Sequence, residues 1–153
     1  MARDVEADET HATRPKAATR DPGLRALDKL VGTWKASEGM TGRIAYEWLP
    51  GDHFLMARGE TEQNGRRTSH VEIIGYDREL GAEPASVMTS RLYTDQGETL
   101  KYTHEVNDEG VTSWFGDKGS PTLFRAKWID DDTLKGAWEW PGGGYKLTLT
   151  RVK

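Results

Sequence analysis

The sequence predicts an all-β protein, a closed antiparallel meander barrel of about ten strands with a short helix in front of it. Three observations carry this. From Gly32 onward apolar and polar residues alternate with a period of two, as half-buried strands require. The alternating stretches follow one another every 8–12 residues or so, parted by Gly, Asn, Asp and Pro where tight turns need them. No helical repeat interrupts them, so successive strands are joined by hairpins and pair antiparallel. A meander of that length tends to close, because closure removes both exposed edges.

The elements follow in order. Residues 1–21 mix both charge signs and offer no apolar face. They read as a disordered tail, since too little surface is available to offset the entropy of ordering. Residues 22–153 read as a single barrel domain. Asp21 suits a helix cap and Pro22 the first helical position. Leu24, Leu27 and Leu30 recur at helical spacing and Gly32 ends the run, so a short amphipathic helix is expected from Pro22 to Leu30. The expected strands are Thr33–Ser37, Gly42–Leu49, His53–Glu62, Thr68–Asp77, Ser86–Thr94, Thr99–Asn107, Val111–Gly116, Thr122–Asp130, Thr133–Trp140 and Tyr145–Val152. Between them stand turn sequences such as Asn64-Gly65, Asp95-Gln96-Gly97 and Pro141-Gly142-Gly143-Gly144. Gly59, Gly75 and Gly136 are bulge-prone positions at which the faces can exchange.

Alternation assigns an interior. Ile44, Tyr46 and Trp48 oppose Arg43 and Glu47; Leu100, Tyr102, His104 and Val106 oppose Lys101, Thr103 and Glu105. Leu134, Gly136, Trp138 and Trp140 oppose Lys135 and Glu139; Tyr145, Leu147, Leu149 and Arg151 oppose Lys146, Thr148 and Thr150. The resulting chamber is rich in Trp and Tyr with a few polar tips, the usual form of a small-molecule site. A barrel of ten strands leaves more room than the eight that side chains alone can fill.

Composition excludes several classes. Lys and Arg number 21 against 25 Asp and Glu, a net charge of −4, so the broad positive field that gathers nucleic acid or anionic lipid is missing. There is no cysteine, which removes disulfides, thiolate metal sites and Cys nucleophiles. No run of 18 apolar residues suggests a membrane helix, and no secretory signal is visible, so the expected location is the cytoplasm. Gly-x-Ser-x-Gly, phosphate-loop and dinucleotide fingerprints are all missing. His70 and Glu72 share a face, but two ligands fall short of the three or four that zinc takes, so no metal is expected.

Gly32-Thr33-Trp34 at the exit of the helix, with Arg151 on the inward face of the last strand, resembles the opening and closing of the calycin barrels: lipocalins, fatty-acid-binding proteins and nitrobindins. The wider pattern is similar to an uncharacterised bacterial lipocalin-like family. It comprises Leu30-Val31-Gly32-Thr33-Trp34, Glu47-Trp48-Leu49, Gly75-Tyr76-Asp77 and Trp138-Glu139, over residues 24–153. The resemblance implies that Arg151 lies across the Trp34 indole and closes one barrel end, a structural rather than ligand-binding pair. Fatty-acid-binding proteins use interior arginines, so Arg91 and Arg125 become candidates for meeting an acidic ligand. Nitrobindins hold haem through a histidine close to the C-terminus and continue their opening motif with a glycine pair. Here the matching residues are Tyr145-Lys146-Leu147-Thr148-Leu149 and Lys35-Ala36, so haem is the minor expectation, with His104 its one available ligand.

The leading expectation is a carrier of a small hydrophobic, apolar or aromatic molecule. It would be lined by Tyr46, Trp48, Arg91, Tyr102, His104, Arg125, Trp138 and Trp140, as a monomer or homodimer and without a required cofactor. The alternative is a cofactor-free isomerase or cyclase in which His104 and Tyr102 supply acid–base help. A satisfied interior histidine is the plain reading of His104. A further alternative is a filled barrel serving as a protein-interaction module, with Trp114 and Trp128 outside.

Overall fold

The computed structural model describes residues 21–153. The expectation of a disordered tail lies outside the described residues, Asp21 excepted.

A helix α1 (Pro22–Ala26) opens the fold, with Pro22 in its first turn and the Asp21 carboxylate accepting from the Gly23 amide at 2.7 Å. It runs into a single 3-10 turn, Leu27–Leu30. Ten strands follow: β1 (Gly32–Glu38), β2 (Thr41–Trp48), β3 (Phe54–Gln63), β4 (Arg66–Gly75) and β5 (Met88–Thr94), then β6 (Thr99–Val106), β7 (Gly110–Phe115), β8 (Leu123–Asp130), β9 (Thr133–Trp140) and β10 (Gly143–Arg151). Each expected strand is present, with its ends displaced by two residues at most. Every strand pairs antiparallel with its sequence neighbours, and β1 pairs with β10, so the sheet is a closed barrel.

The ladders run without a shift through Gly59, Gly75 and Gly136; the irregularity lies instead in β8, between Trp128 and Asp130. The inward register therefore holds along nine strands, and β8 bends where its chain reaches the helix end of the barrel.

That end is stoppered. Leu24, Leu27 and Leu30 present the apolar face of α1 and the 3-10 turn to the interior, and all are buried. Beneath them Trp34 is completely buried, its indole N–H donating to the Leu30 carbonyl at 2.7 Å. The Arg151 guanidinium lies 4.4 Å from the Trp34 ring and opposite it in register. It donates to the carbonyls of Val31 (2.7 Å) and Lys29 (2.9 Å) and to the Asp132 carboxylate (2.9 Å). One residue thereby ties the last strand to the 3-10 turn and to the β8–β9 turn. Gly32 is required between them: its φ is +126°, and a Cβ there would stand 2.7 Å from an Arg151 guanidinium nitrogen. Trp128 also belongs to this layer. Its ring is 5.8 Å from that of Trp34 and 4.5 Å from the Lys29 ammonium, so its expected place on the outer face is corrected. Trp114 stands on the outer face, half-buried, with the Lys118 ammonium 5.7 Å from its ring.

Candidate functional site

Above the stopper the barrel is hollow. A cavity of about 270 Å³ runs from Leu27 and Leu30 at the helix end to Met40 and Tyr145 near the opposite hairpins. Its wall is largely apolar. Tyr102, Trp138 and Phe124 form a continuous aromatic stretch, with ring centroids 5.8 Å and 5.6 Å apart. Among the described residues no Lys or Arg lines it, and Glu72 is its one carboxylate.

Glu72, on β4, stands at one end of a hydrogen-bonded chain that four adjacent strands assemble. The Ser90 hydroxyl on β5 donates to Glu72 Oε2 at 2.6 Å. Ser90 has then given its one hydrogen, so it accepts from His104 Nε2–H on β6, 2.7 Å away. His104 Nδ1 is left as an acceptor for the Ser113 hydroxyl on β7, also at 2.7 Å. His104 Nε2 is 3.6 Å from Glu72 Oε2 directly, and the two side chains are only 8% and 14% exposed. The carboxylate is therefore compensated inside the barrel rather than stranded. Burial alone would raise its pKa. The neighbouring His104 imidazole, the hydrogen bond of Ser90 and the charge of His70 together outweigh burial and hold the carboxyl below its ordinary value.

The charge of Glu72 reaches its neighbours. Burial first, and the Glu72 carboxylate second, push the phenols of Tyr46 and Tyr102 well above their ordinary value, so both stay neutral, each able to donate its hydrogen and to accept one. His70 faces the same cavity two residues earlier on β4. Burial pushes its pKa down and Glu72 partly restores it. Room for that imidazole exists only because its cross-strand partner is Gly59, where a Cβ would come within 2.2 Å of the ring.

The residues singled out from the sequence divide. Tyr46, Tyr102, His104 and Trp138 line the cavity. Trp48 does not: its indole N–H donates to Asp28 at 2.9 Å and pins the 3-10 turn to the barrel rim. Trp140 lies at the last position of β9, 40% exposed and edge-on to Tyr145, outside the lining. Arg91 and Arg125 are corrected outright. Both are exposed, because the inward parity belongs to Met88, Ser90 and Leu92 on β5 and to Phe124 and Ala126 on β8. An interior arginine to meet an acidic ligand is thus missing from both strands. Haem does not fit either. Both ring nitrogens of His104 are engaged by serines, and a tetrapyrrole far exceeds the space. Among the described residues, no group of three or more His, Asp or Glu is placed to hold a metal ion.

Sequence reasoning weighed Glu72 only as a metal ligand beside His70 and passed over Ser90 and Ser113, which complete the polar chain in the lumen. The available signal was the shared parity of His70, Glu72 and Ile74, which already pointed Glu72 inward.

Fold and site together define a closed ten-strand antiparallel β-barrel with a hollow, aromatic-walled lumen and one buried carboxylate network. No family model and no curated protein matches the chain. Among solved structures it resembles a de novo designed fluorescence-activating β-barrel, at 12% identity over 83% of this chain and 97% of that one, TM-score 0.46. It also resembles a redesigned β-barrel, at 13% identity over 84% of this chain and 96% of that one, TM-score 0.46.

Proposed function

We propose that the barrel binds a small apolar or aromatic molecule in its lumen, in the manner of the calycin barrels that Gly32, Trp34 and Arg151 resemble. The observation that carries the proposal is the lumen cavity of about 270 Å³, whose largely apolar wall surrounds a few convergent polar groups. Its size bounds the ligand. A cavity of roughly 150 Å³ takes benzene, so by proportion this one takes about eleven non-hydrogen atoms, one or two rings. Long-chain fatty acids and flavonoids exceed that without expansion of the lumen.

Trp138 in the wall reports occupancy. Titration with indole and naphthalene is expected to quench Trp fluorescence saturably and to raise the melting temperature, since a ligand that binds only the folded state stabilises it. If neither compound gives a saturable signal in either assay, the carrier reading fails.

A second reading, a cofactor-free isomerase, is favoured by the Glu72–Ser90–His104–Ser113 chain, because a histidine flanked by hydroxyls and backed by a carboxylate can take up and return a proton. It predicts conversion of a bound ligand that His104→Ala abolishes. Binding without any product separates carrier from catalyst.

A further inference from the structure

The lumen-binding reading leaves the ligand's chemistry open, and the polar groups of the cavity narrow it. We infer that the lumen selects a small aromatic amine, its ammonium or amine N–H groups directed at Glu72. This rests on the lumen-binding reading above.

The first argument is charge. Among the described residues Glu72 is the one carboxylate of the lining and no Lys or Arg accompanies it; Arg91 and Arg125 are on the outer face. An anionic ligand would bring a second negative charge beside the first in a medium that screens poorly, with no fixed cation to receive it. A cationic ligand meets a carboxylate already in place.

The second argument is unused hydrogen-bonding capacity. Among the described residues, the hydrogen bond to Glu72 arrives at Oε2 and Oε1 receives none. The hydroxyls of Tyr46 and Tyr102, both lining the cavity, have no hydrogen-bond partner among the described residues, yet neither is a sealed, orphaned atom. All three therefore face the open lumen. A carboxylate oxygen and two phenol oxygens make three acceptors, the number an ammonium needs.

The third argument is the wall. Tyr102, Trp138 and Phe124 present ring faces and edges in one contiguous surface. Aromatic faces attract a desolvated cation and stack well on an aromatic ring, so the same wall serves both parts of the proposed ligand.

Calorimetry on the whole chain with three matched probes tests this: 2-phenylethylamine, 2-phenylethanol and 3-phenylpropanoate, which share a phenyl ring on a two-carbon arm. The expected order is amine, then alcohol, then carboxylate. A hydrogen bond to a charged group exceeds a neutral one by enough to make the amine about tenfold tighter than the alcohol. Glu72→Gln is expected to bring the amine to within about twofold of the alcohol while leaving the alcohol's affinity in place. A carboxylate that binds as tightly as the amine, or an amine preference that survives Glu72→Gln, overturns the inference while the lumen-binding reading stands. If no probe binds, and indole does not either, both fall together. Should the variant fail to fold, the ranking of the three probes on the unaltered chain decides alone.

Discussion

Replacing Arg151 with alanine removes the tie between the final strand and the stoppered end. The guanidinium over the Trp34 indole, 4.4 Å from the ring, contributes about 0.5–2 kcal/mol. The hydrogen bonds to the Val31 and Lys29 carbonyls, at 2.7 and 2.9 Å, contribute roughly 0.5–1.5 kcal/mol each after exchange with water. The contact with Asp132 faces solvent and adds little. The expected loss is therefore about 2–4 kcal/mol. For a chain of this length each kcal/mol moves the melting temperature by roughly 2–4 °C, so thermal unfolding followed by circular dichroism is expected to shift down by roughly 4–16 °C. Arg151→Lys keeps the charge but loses the planar fork that reaches two carbonyls and the ring together, so it is expected to recover less than half of the loss. A melting temperature within about 3 °C of the parent for Arg151→Ala would refute the assigned role, because no combination of these contacts is that weak.

Three further outcomes follow from the interior. Glu72 and His70 both have native pKa values below their ordinary ones, so the unfolded chain takes up their protons first. The stability His70 contributes is complete above its ordinary value of 6.5 and is lost as pH falls below it; that of Glu72 is lost as pH falls below 4.5. Urea unfolding across that range should show a decline that Glu72→Gln and His70→Gln each flatten, and an unchanged slope in both variants counts against it. At the alkaline end the sign reverses. Tyr46, Tyr102 and Tyr145 have raised values and Tyr76 is pushed up to about 12, so their contribution is full below about pH 10 and lost above it. Absorbance at the tyrosinate band of the native protein should then rise well beyond the pH at which the denatured chain titrates. Gly59→Ala drives a Cβ to within 2.2 Å of the His70 ring and is expected to cost about 1–3 kcal/mol and shift the His70 imidazole resonances; an unperturbed His70 spectrum argues that the ring sits elsewhere.

Much of the architecture was legible. Period two from Gly32, turn residues at regular intervals and the Leu24–Leu27–Leu30 spacing locate ten strands and the stopper, because each is a local consequence of side-chain geometry. The arginines were not. Along Val87–Tyr93 both faces carry apolar residues, Val87 and Tyr93 on one and Met88 and Leu92 on the other, so alternation does not by itself decide which way Arg91 points. Closure decides it, through ladder partners some twenty residues away such as Ile73, opposite Arg91. The carboxylate network was hidden for a related reason. Glu72, Ser90, His104 and Ser113 lie on four different strands, and each alone resembles an ordinary polar residue in an alternating run. Only the stacking of those strands in register makes them one chain. Trp128 and Trp48 looked like ligand-facing or surface rings, whereas the Lys29 ammonium over one and the Asp28 carboxylate beside the other turn both toward the 3-10 turn.

The pairing of β1 with β10 also governs how the molecule is born. Synthesis runs from the amino end, so the partner that seals β1 emerges from the ribosome after the eight strands between them. Until then the growing sheet has a raw edge on each side, with backbone groups open to any passing strand. Completion awaits residue 151, whose side chain arrives only after every earlier strand has emerged. The zipper and its clasp thus come at the same moment. Ending the chain at Thr150, which removes Arg151, should leave more of it in aggregates than so small a cut suggests.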